Sequence, residues 1–247
     1  MKISIIGLGW FGSSLAEALK NSKTIVGSTR SGGKVSEFLK LGIEAEVLTP
    51  PLTPSALLLD ADVIVLNIPP FKDQLEWFKS WPLEPETHVI FISSTSVYGQ
   101  EEGTLTETDP ALPESENGHI LVKEEEWVRS LPLYTVIRFG GLFGKARHPG
   151  KFLSGRKELS GGNQPVNLIH LEDTVGFTKL VIEKKLTGET FNLVSPDHPT
   201  RREYYEKYCA ENKLPLPEFL DSPLSGKIIS PEKVSNIYYY QRDLKNH

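Results

Sequence analysis

The sequence predicts an α/β fold: a doubly wound parallel sheet followed by a small, loop-rich C-terminal cap. Three observations predict it. Short β-branched runs recur along the first part of the chain. Segments with apolar residues at helical spacing lie between several of them. Past Gly144 the texture changes, and glycine, proline and charge become dense. Strands alternating with helices through short connections form a parallel sheet covered on both faces.

The elements follow in order. Residues 2–6 (Lys-Ile-Ser-Ile-Ile) read as a buried strand ending at Gly7. Phe11, Leu15 and Leu19 recur every fourth residue and give one apolar helix face. Residues 24–27 are a second strand, and 43–48 a weaker third ending at Pro50-Pro51. Residues 62–67 and 88–93 are strong fourth and fifth strands, and 134–138 a sixth. Two later strand pieces are expected at 166–170 and 191–194. The tail carries Pro196, Pro199, Pro215, Pro217 and Pro223 and reads as loop-rich. There is no internal repeat, heptad pattern or low-complexity block.

Composition narrows the function classes. The chain has 247 residues, 38% apolar and 24% charged, which suits a packed core rather than disorder. A single cysteine, Cys209, excludes an internal disulfide and a cysteine zinc cluster. The net charge of −5 argues against a nucleic-acid partner bound through phosphate neutralisation. No apolar run approaches the roughly 20 residues that cross a bilayer, so no membrane partner is expected. Met1-Lys2 and the apolar residues after it faintly resemble a secretion signal, but Gly7, Gly9 and Gly12 break the apolar stretch. A cytoplasmic protein is expected. His88, His148, His170, His198 and His247 show no metal-ligand spacing, and no metal is expected.

The glycines have a chemical reading. Gly7-Leu8-Gly9-Trp10-Phe11-Gly12 follows a strand and opens a helix. In a Rossmann-type turn the first glycine permits the tight bend, the second lets backbone approach a pyrophosphate, and the third allows close helix–sheet packing. The helix N-terminus adds N–H donors and partial positive charge. A ligand-free glycine turn and an S-adenosylmethionine site share this pattern. The end of the second strand adds information. NAD-selective folds place a carboxylate there for the ribose 2′-hydroxyl. This chain has Ser28, Thr29 and Arg30, with no carboxylate before Glu37. Hydroxyl donors and a guanidinium fork suit a 2′-phosphate, which favours NADP(H) over NAD(H); a solvated loop arginine is the alternative. Asn67-Ile68-Pro69 ends the fourth strand, where such a cofactor passes.

At the end of the fifth strand, Ser93-Ser94-Thr95-Ser96-Val97-Tyr98-Gly99 resembles the extended short-chain dehydrogenase/reductase superfamily, the nucleotide-sugar epimerases and dehydratases. Ser94 stands where that family has the Ser/Thr that bonds the reacting oxygen. Further matches follow in order. Arg138-Phe139-Gly140-Gly141-Leu142-Phe143-Gly144 resembles the segment closing the nicotinamide site. Residues 167–173 resemble its His-x-x-Asp segment, and 188–193 the strand before the substrate cap. The resemblance covers nearly the whole chain and displaces the methyltransferase reading. It implies a dinucleotide-binding domain over 1–143 and 166–194, and a small substrate-binding cap over 144–165 and 195–247. It implies cofactor contacts from Gly7, Gly9, Trp10, Phe11, Gly12, Ser28, Thr29, Arg30, Asn67, Ile68, Pro69, Ser93, Lys123, Phe139 and Gly141. Substrate contacts are expected from Thr95, Arg147 and His148.

One departure concerns the catalytic pair. The family carries Tyr-x-x-x-Lys on a helix about 25 residues after the Ser/Thr. Here Lys123 is in register, but the tyrosine position holds His119. Four-residue spacing puts both on one helix face. The expected catalytic set is therefore Ser94, His119 and Lys123, with Lys123 also holding the nicotinamide ribose. His119 admits two readings. In one, imidazole carries the proton; an unperturbed imidazole titrates near 6.5, whereas a phenol near 10 must be lowered. In the other, the tyrosine was lost together with the chemistry, and imidazole, shorter than phenol, fills space. Tyr98 is expected to be structural.

Two function classes follow: a hydride-transfer oxidoreductase or epimerase acting on a small polar substrate such as a nucleotide sugar, or a catalytically silent NADP(H)-binding module acting as redox sensor or regulator. Glu124-Glu125-Glu126 reads as a solvated helix face, and Trp77 and Trp81 as aromatic surface. Only about 17 residues separate Pro70 from His88, too few for the long helix of the family's dimer interface. A monomer or a non-standard homodimer is expected.

Overall fold

The computed structural model describes residues 1–145, 147–221, 223 and 225–244. Positions 146, 222, 224 and 245–247 of the expected cap, His247 among them, lie outside the described residues. The chain divides into two compact units. The first comprises Met1–Val97, Pro113–Arg138 and Val175–Phe191; the second comprises Tyr98–Leu112, Phe139–Thr174 and the chain from Asn192.

The elements in order are β1 (Lys2–Ile6), α1 (Trp10–Leu19), β2 (Thr24–Thr29), α2 (Gly32–Lys40), β3 (Glu44–Val47), α3 (Ala56–Leu59), β4 (Val63–Leu66), α4 (Gln74–Lys79) and β5 (His88–Ser94). A 3₁₀ turn (Thr95–Tyr98) leads to β6 (Gly103–Leu105), α5 (Glu116–Arg129), β7 (Tyr134–Phe139) and β8 (Gly141–Phe143). Then come α6 (Gly150–Leu153), β9 (Leu168–His170), α7 (Leu171–Lys184), β10 (Glu189–Leu193), α8 (Arg201–Glu211), β11 (Lys227–Ile229) and α9 (Glu232–Ser235).

Seven strands form the main sheet in the order β10-β7-β5-β4-β1-β2-β3. Parallel pairing joins β1 to β2 and β4, β2 to β3, and β4 to β5. The β-branched runs are buried on both faces: Ile3, Ile5, Ile6, all of β4 and residues 89–91 have 3% exposure or less. Each such side chain contributes about 1.5–3 kcal/mol of burial energy. The chain winds outward from β1 through β3, then returns to β4 on the other side of β1, which makes a switch point. The register aligns Ile6 with both Ser28 and Leu66, and Leu66 with Phe91. Ile6, Ser28, Leu66 and Phe91 are therefore level, β5 runs on to Ser94, and the Gly7 turn, Thr29, Asn67 and the residues after Phe91 share one edge.

Helix α1 buries Phe11, Leu15, Ala16 and Leu19, the face expected from its periodicity. Helix α5 starts at Ser115, whose hydroxyl accepts the Gly118 N–H at 3.1 Å. Helix α4 has only six residues. Trp77 and Trp81 are buried rather than surface-forming. The Trp77 indole N–H donates to the Leu52 carbonyl at 2.8 Å, and Phe78 stacks on Trp127 with ring centroids 5.7 Å apart. Apolar rings on a short helix are drawn into this cluster because the next helix offers an aromatic partner.

In the second unit, β8 pairs with β9 and β6 with β11, both parallel. Asn167 holds β11 by donating to the Lys227 carbonyl and accepting the Ile229 N–H. Phe143, Val166, Leu168, Tyr204 and Leu244 form a core. Helix α8 begins with a capping box between Thr200 and Glu203. No described helix is long and apolar enough to cross a membrane.

Candidate cofactor and active site

The glycine turn is held from two sides. Gly7 adopts φ +108, and a Cβ there would stand 2.2 Å from the Asn67 carbonyl oxygen. A Cβ on Gly12 would stand 2.1 Å from the Gly7 oxygen. Both positions therefore need glycine for close backbone approach. Gly9 differs: a Cβ there would meet nothing within 4 Å. Gly9 is also the N-cap of α1 and offers no capping side chain. The cradle thus has two packed glycines and one that faces outward, the arrangement that lets a pyrophosphate approach a helix N-terminus. These residues fit a dinucleotide.

Several expected contact residues serve the turn itself. The Gly7 N–H donates to the Ser28 hydroxyl oxygen at 3.1 Å, and Ser28 is buried. The Asn67 amide donates to the Gly7 carbonyl at 3.0 Å. The Thr29 hydroxyl accepts the Ser31 N–H at 3.3 Å. Beyond them, Arg30, Ser31, Gly32, Gly33 and Lys34 are exposed at the start of α2. Trp10 and Ile68 are half-buried, Phe11 is core, and Pro69 is exposed.

At the end of β5, the hydroxyl of Ser94 accepts the Ser96 N–H at 3.1 Å and shapes the 3₁₀ turn, and Thr95 is buried. His119 and Lys123 are exposed on α5, one helical turn apart. The first turn of α5 backs onto the Ser94 segment: a Cβ on Gly118 would stand 2.6 Å from Pro113 Cβ and 3.4 Å from the Ser96 carbonyl oxygen. Gly118 thus lets the helix carrying His119 approach the turn after Ser94. Sequence reasoning missed it, although a glycine inside a predicted helix is a signal in itself.

The acidic triplet is not a solvated face. Glu124 has 1% and Glu125 0% exposure; only Glu126 is exposed. Glu125 accepts from Ser93 Oγ at 2.6 Å, from Arg138 Nε at 3.0 Å and Nη2 at 2.7 Å, and from Arg129 Nη2 at 2.5 Å. Ser93, expected at the cofactor, thus turns toward α5. Neither Glu124 carboxylate oxygen has a partner among the described residues, and burial pushes this carboxyl up to about pKa 8. Burial likewise lowers His88 at the start of β5 to about 4. The His88 Nε2 lies 2.8 Å from the Thr135 hydroxyl.

In the second unit, Tyr98 is fully buried, with its hydroxyl 2.8 Å from the Thr106 carbonyl and 2.9 Å from Asn192 Oδ1. That is the structural part expected of it. Phe139 is buried and Gly141 exposed. Arg147 is exposed, with its backbone paired to Gly144. His148 is engaged at both nitrogens: Nδ1 accepts the Gly150 N–H, and Nε2 lies 3.1 Å from the Tyr204 hydroxyl. Its ring stacks on Tyr208 at 3.6 Å between centroids. Asp173, in the His-x-x-Asp segment, is buried and accepts from the Gln241 N–H and the Tyr238 hydroxyl. Burial raises its carboxyl above the usual range.

No family model matches the chain. Among solved structures, it is similar to a UDP-glucuronic acid 4-epimerase from Bacillus cereus in complex with NAD, with a TM-score of 0.79, 20% identity, and coverage of 100% of this chain and 95% of that one. It is similar to a dTDP-glucose 4,6-dehydratase from Bacillus anthracis in complex with NAD, with a TM-score of 0.75, 18% identity, and coverage of 96% and 89%. These likenesses carry the fold. Protein YeeZ of Escherichia coli K12 is 34% identical over 256 residues, which span 95% of this chain and 93% of YeeZ. With that identity over nearly its full length, the chain belongs to the family of protein YeeZ, on the fold of the extended short-chain dehydrogenase/reductases.

Proposed function

We propose that this is a cytoplasmic NADP(H)-binding oxidoreductase or epimerase acting on a small polar or nucleotide-sugar substrate. The bound nicotinamide would supply and accept hydride. Ser94 orients the substrate oxygen, His119 moves its proton, and Lys123 holds the cofactor ribose. The observation that carries this reading is the close approach of Gly118 to Ser96, which packs the His119–Lys123 helix against the turn after Ser94. The open Gly9 beside two packed glycines supports the cofactor, and exposed Arg30 at a strand end without a carboxylate supports the 2′-phosphate. The NAD in the Bacillus cereus and Bacillus anthracis structures supports a dinucleotide in general.

The silent-module reading is favoured by two observations: no tyrosine stands four residues before Lys123, and Tyr98 is buried. Isotope exchange from a mixture of deuterated NADPH and NADP+ into a panel of nucleotide sugars, by oxidation of a sugar hydroxyl to the ketone and its reduction back, separates the two. Exchange that is lost in Ser94→Ala supports the enzyme, and binding without exchange supports the module. The short α4 supports a monomer or a non-standard dimer, and a sedimenting dimer built on α5 would refute that.

A further inference from the structure

We infer that Glu125 is a positioning residue, which locks the rotation and height of α5 so that His119 and Lys123 face the turn after Ser94. This rests on the functional reading above for the roles of those two side chains. The lock itself stands on geometry within the first unit.

Helix α5 buries Gly118, Leu121 and Val128 on one side. Apolar burial is non-directional, so this seam alone would tolerate a slide or a turn of the helix. A one-residue slip rotates a helix by about 100° and would change where both candidate groups stand relative to Ser94. Glu125 supplies direction. Its carboxylate is buried and collects donors from two strands: the hydroxyl of Ser93 on β5 and the guanidinium of Arg138 on β7. Arg129, one turn further along α5, adds a third donor. Charge-assisted bonds from a planar fork fix orientation as well as distance. Ser93 is the neighbour of Ser94, so the anchor holds α5 to the strand end that carries the candidate oxygen-orienting group. A second anchor sits at Gly118, against Ser96. His119 and Lys123 lie between the two.

The test replaces direction while keeping burial. Well-packed apolar substitutes for a buried ion pair often preserve stability, so the double variant Glu125→Leu/Arg138→Met is compared with wild type. It is expected to keep a urea midpoint near wild type, to bind NADPH at least tenfold more weakly by nicotinamide fluorescence, and to exchange the amides of residues 119–123 at least tenfold faster without cofactor. Wild-type affinity together with wild-type exchange would overturn the proposal and leave the pair a stability element. If the double variant does not fold, Ser93→Ala takes its place. With an unchanged midpoint, exchange at residues 119–123 should rise about threefold, and no rise overturns the proposal. Failure of wild type to bind either nicotinamide cofactor would overturn the functional reading, while the exchange measurement still decides the lock.

Discussion

Glu124 offers the most quantitative test of the structure. Its carboxyl is buried with neither oxygen partnered among the described residues, and it holds its proton up to about pH 8. An unfolded glutamate releases its proton near 4.5. The folded value is raised, so folding takes up a proton between those limits. The contribution is therefore fully present below about pH 4.5 and is lost as pH rises through about 8. Each pH unit in that window costs about 1.4 kcal/mol, so the full penalty above pH 8 is about 5 kcal/mol. Glu124→Gln keeps the shape and removes the titration. The measurement is urea unfolding of both proteins from pH 5 to pH 9. The variant should match wild type within about 1 kcal/mol at pH 5 and exceed it by about 3–5 kcal/mol at pH 9. A pH-independent difference between the two curves would refute the reasoning, since it would mean that Glu124 reaches water or a partner in the folded state.

Other predictions concern both ends of the sheet. His88 has the opposite sign: its folded value of about 4 lies below the usual 6.5, so stability is whole above pH 6.5 and falls by about 3 kcal/mol on acidification to pH 4; His88→Gln should flatten that acid limb in urea melts. Gly9→Ala meets no atom and costs only the N-cap preference, so it should lower the thermal midpoint by no more than about 2–4 °C while weakening dinucleotide binding at least tenfold, by fluorescence titration. Gly12→Ala puts a methyl 2.1 Å from the Gly7 oxygen and should lower the thermal midpoint as well as abolish binding. Arg30→Ala should cut the preference for NADPH over NADH about tenfold with little change in NADH affinity, measured by parallel titrations.

The local features of this protein were legible because they are written in neighbouring residues. Strand and helix periodicity, the Gly7–Gly12 turn and the four-residue spacing of His119 and Lys123 all lie within short windows. What escaped depends on distant partners. Glu125 sits in an acidic run that reads as solvent-facing, and its burial is decided by Arg138 and Ser93 on two strands. Ser28 looks like a phosphate donor until Gly7, 21 residues earlier, is seen bonded to it. His148 looks like a free ligand until Tyr204 and Gly150 take its two nitrogens. Strands β6 and β11 pair three residues with three across more than a hundred positions, too short a pattern to stand out in the chain.

By itself the sequence determined the α/β alternation and the glycine turn, because each follows from backbone preference and apolar spacing along a few consecutive residues, while the order of the later motifs was legible only as a resemblance to a known family. Only the tertiary structure decided which charges are buried. A carboxylate leaves water only where directed donors meet it or where it keeps its proton. Glu125 is the first case and Glu124 the second, side by side on one helix, and nothing in their shared local sequence distinguishes them.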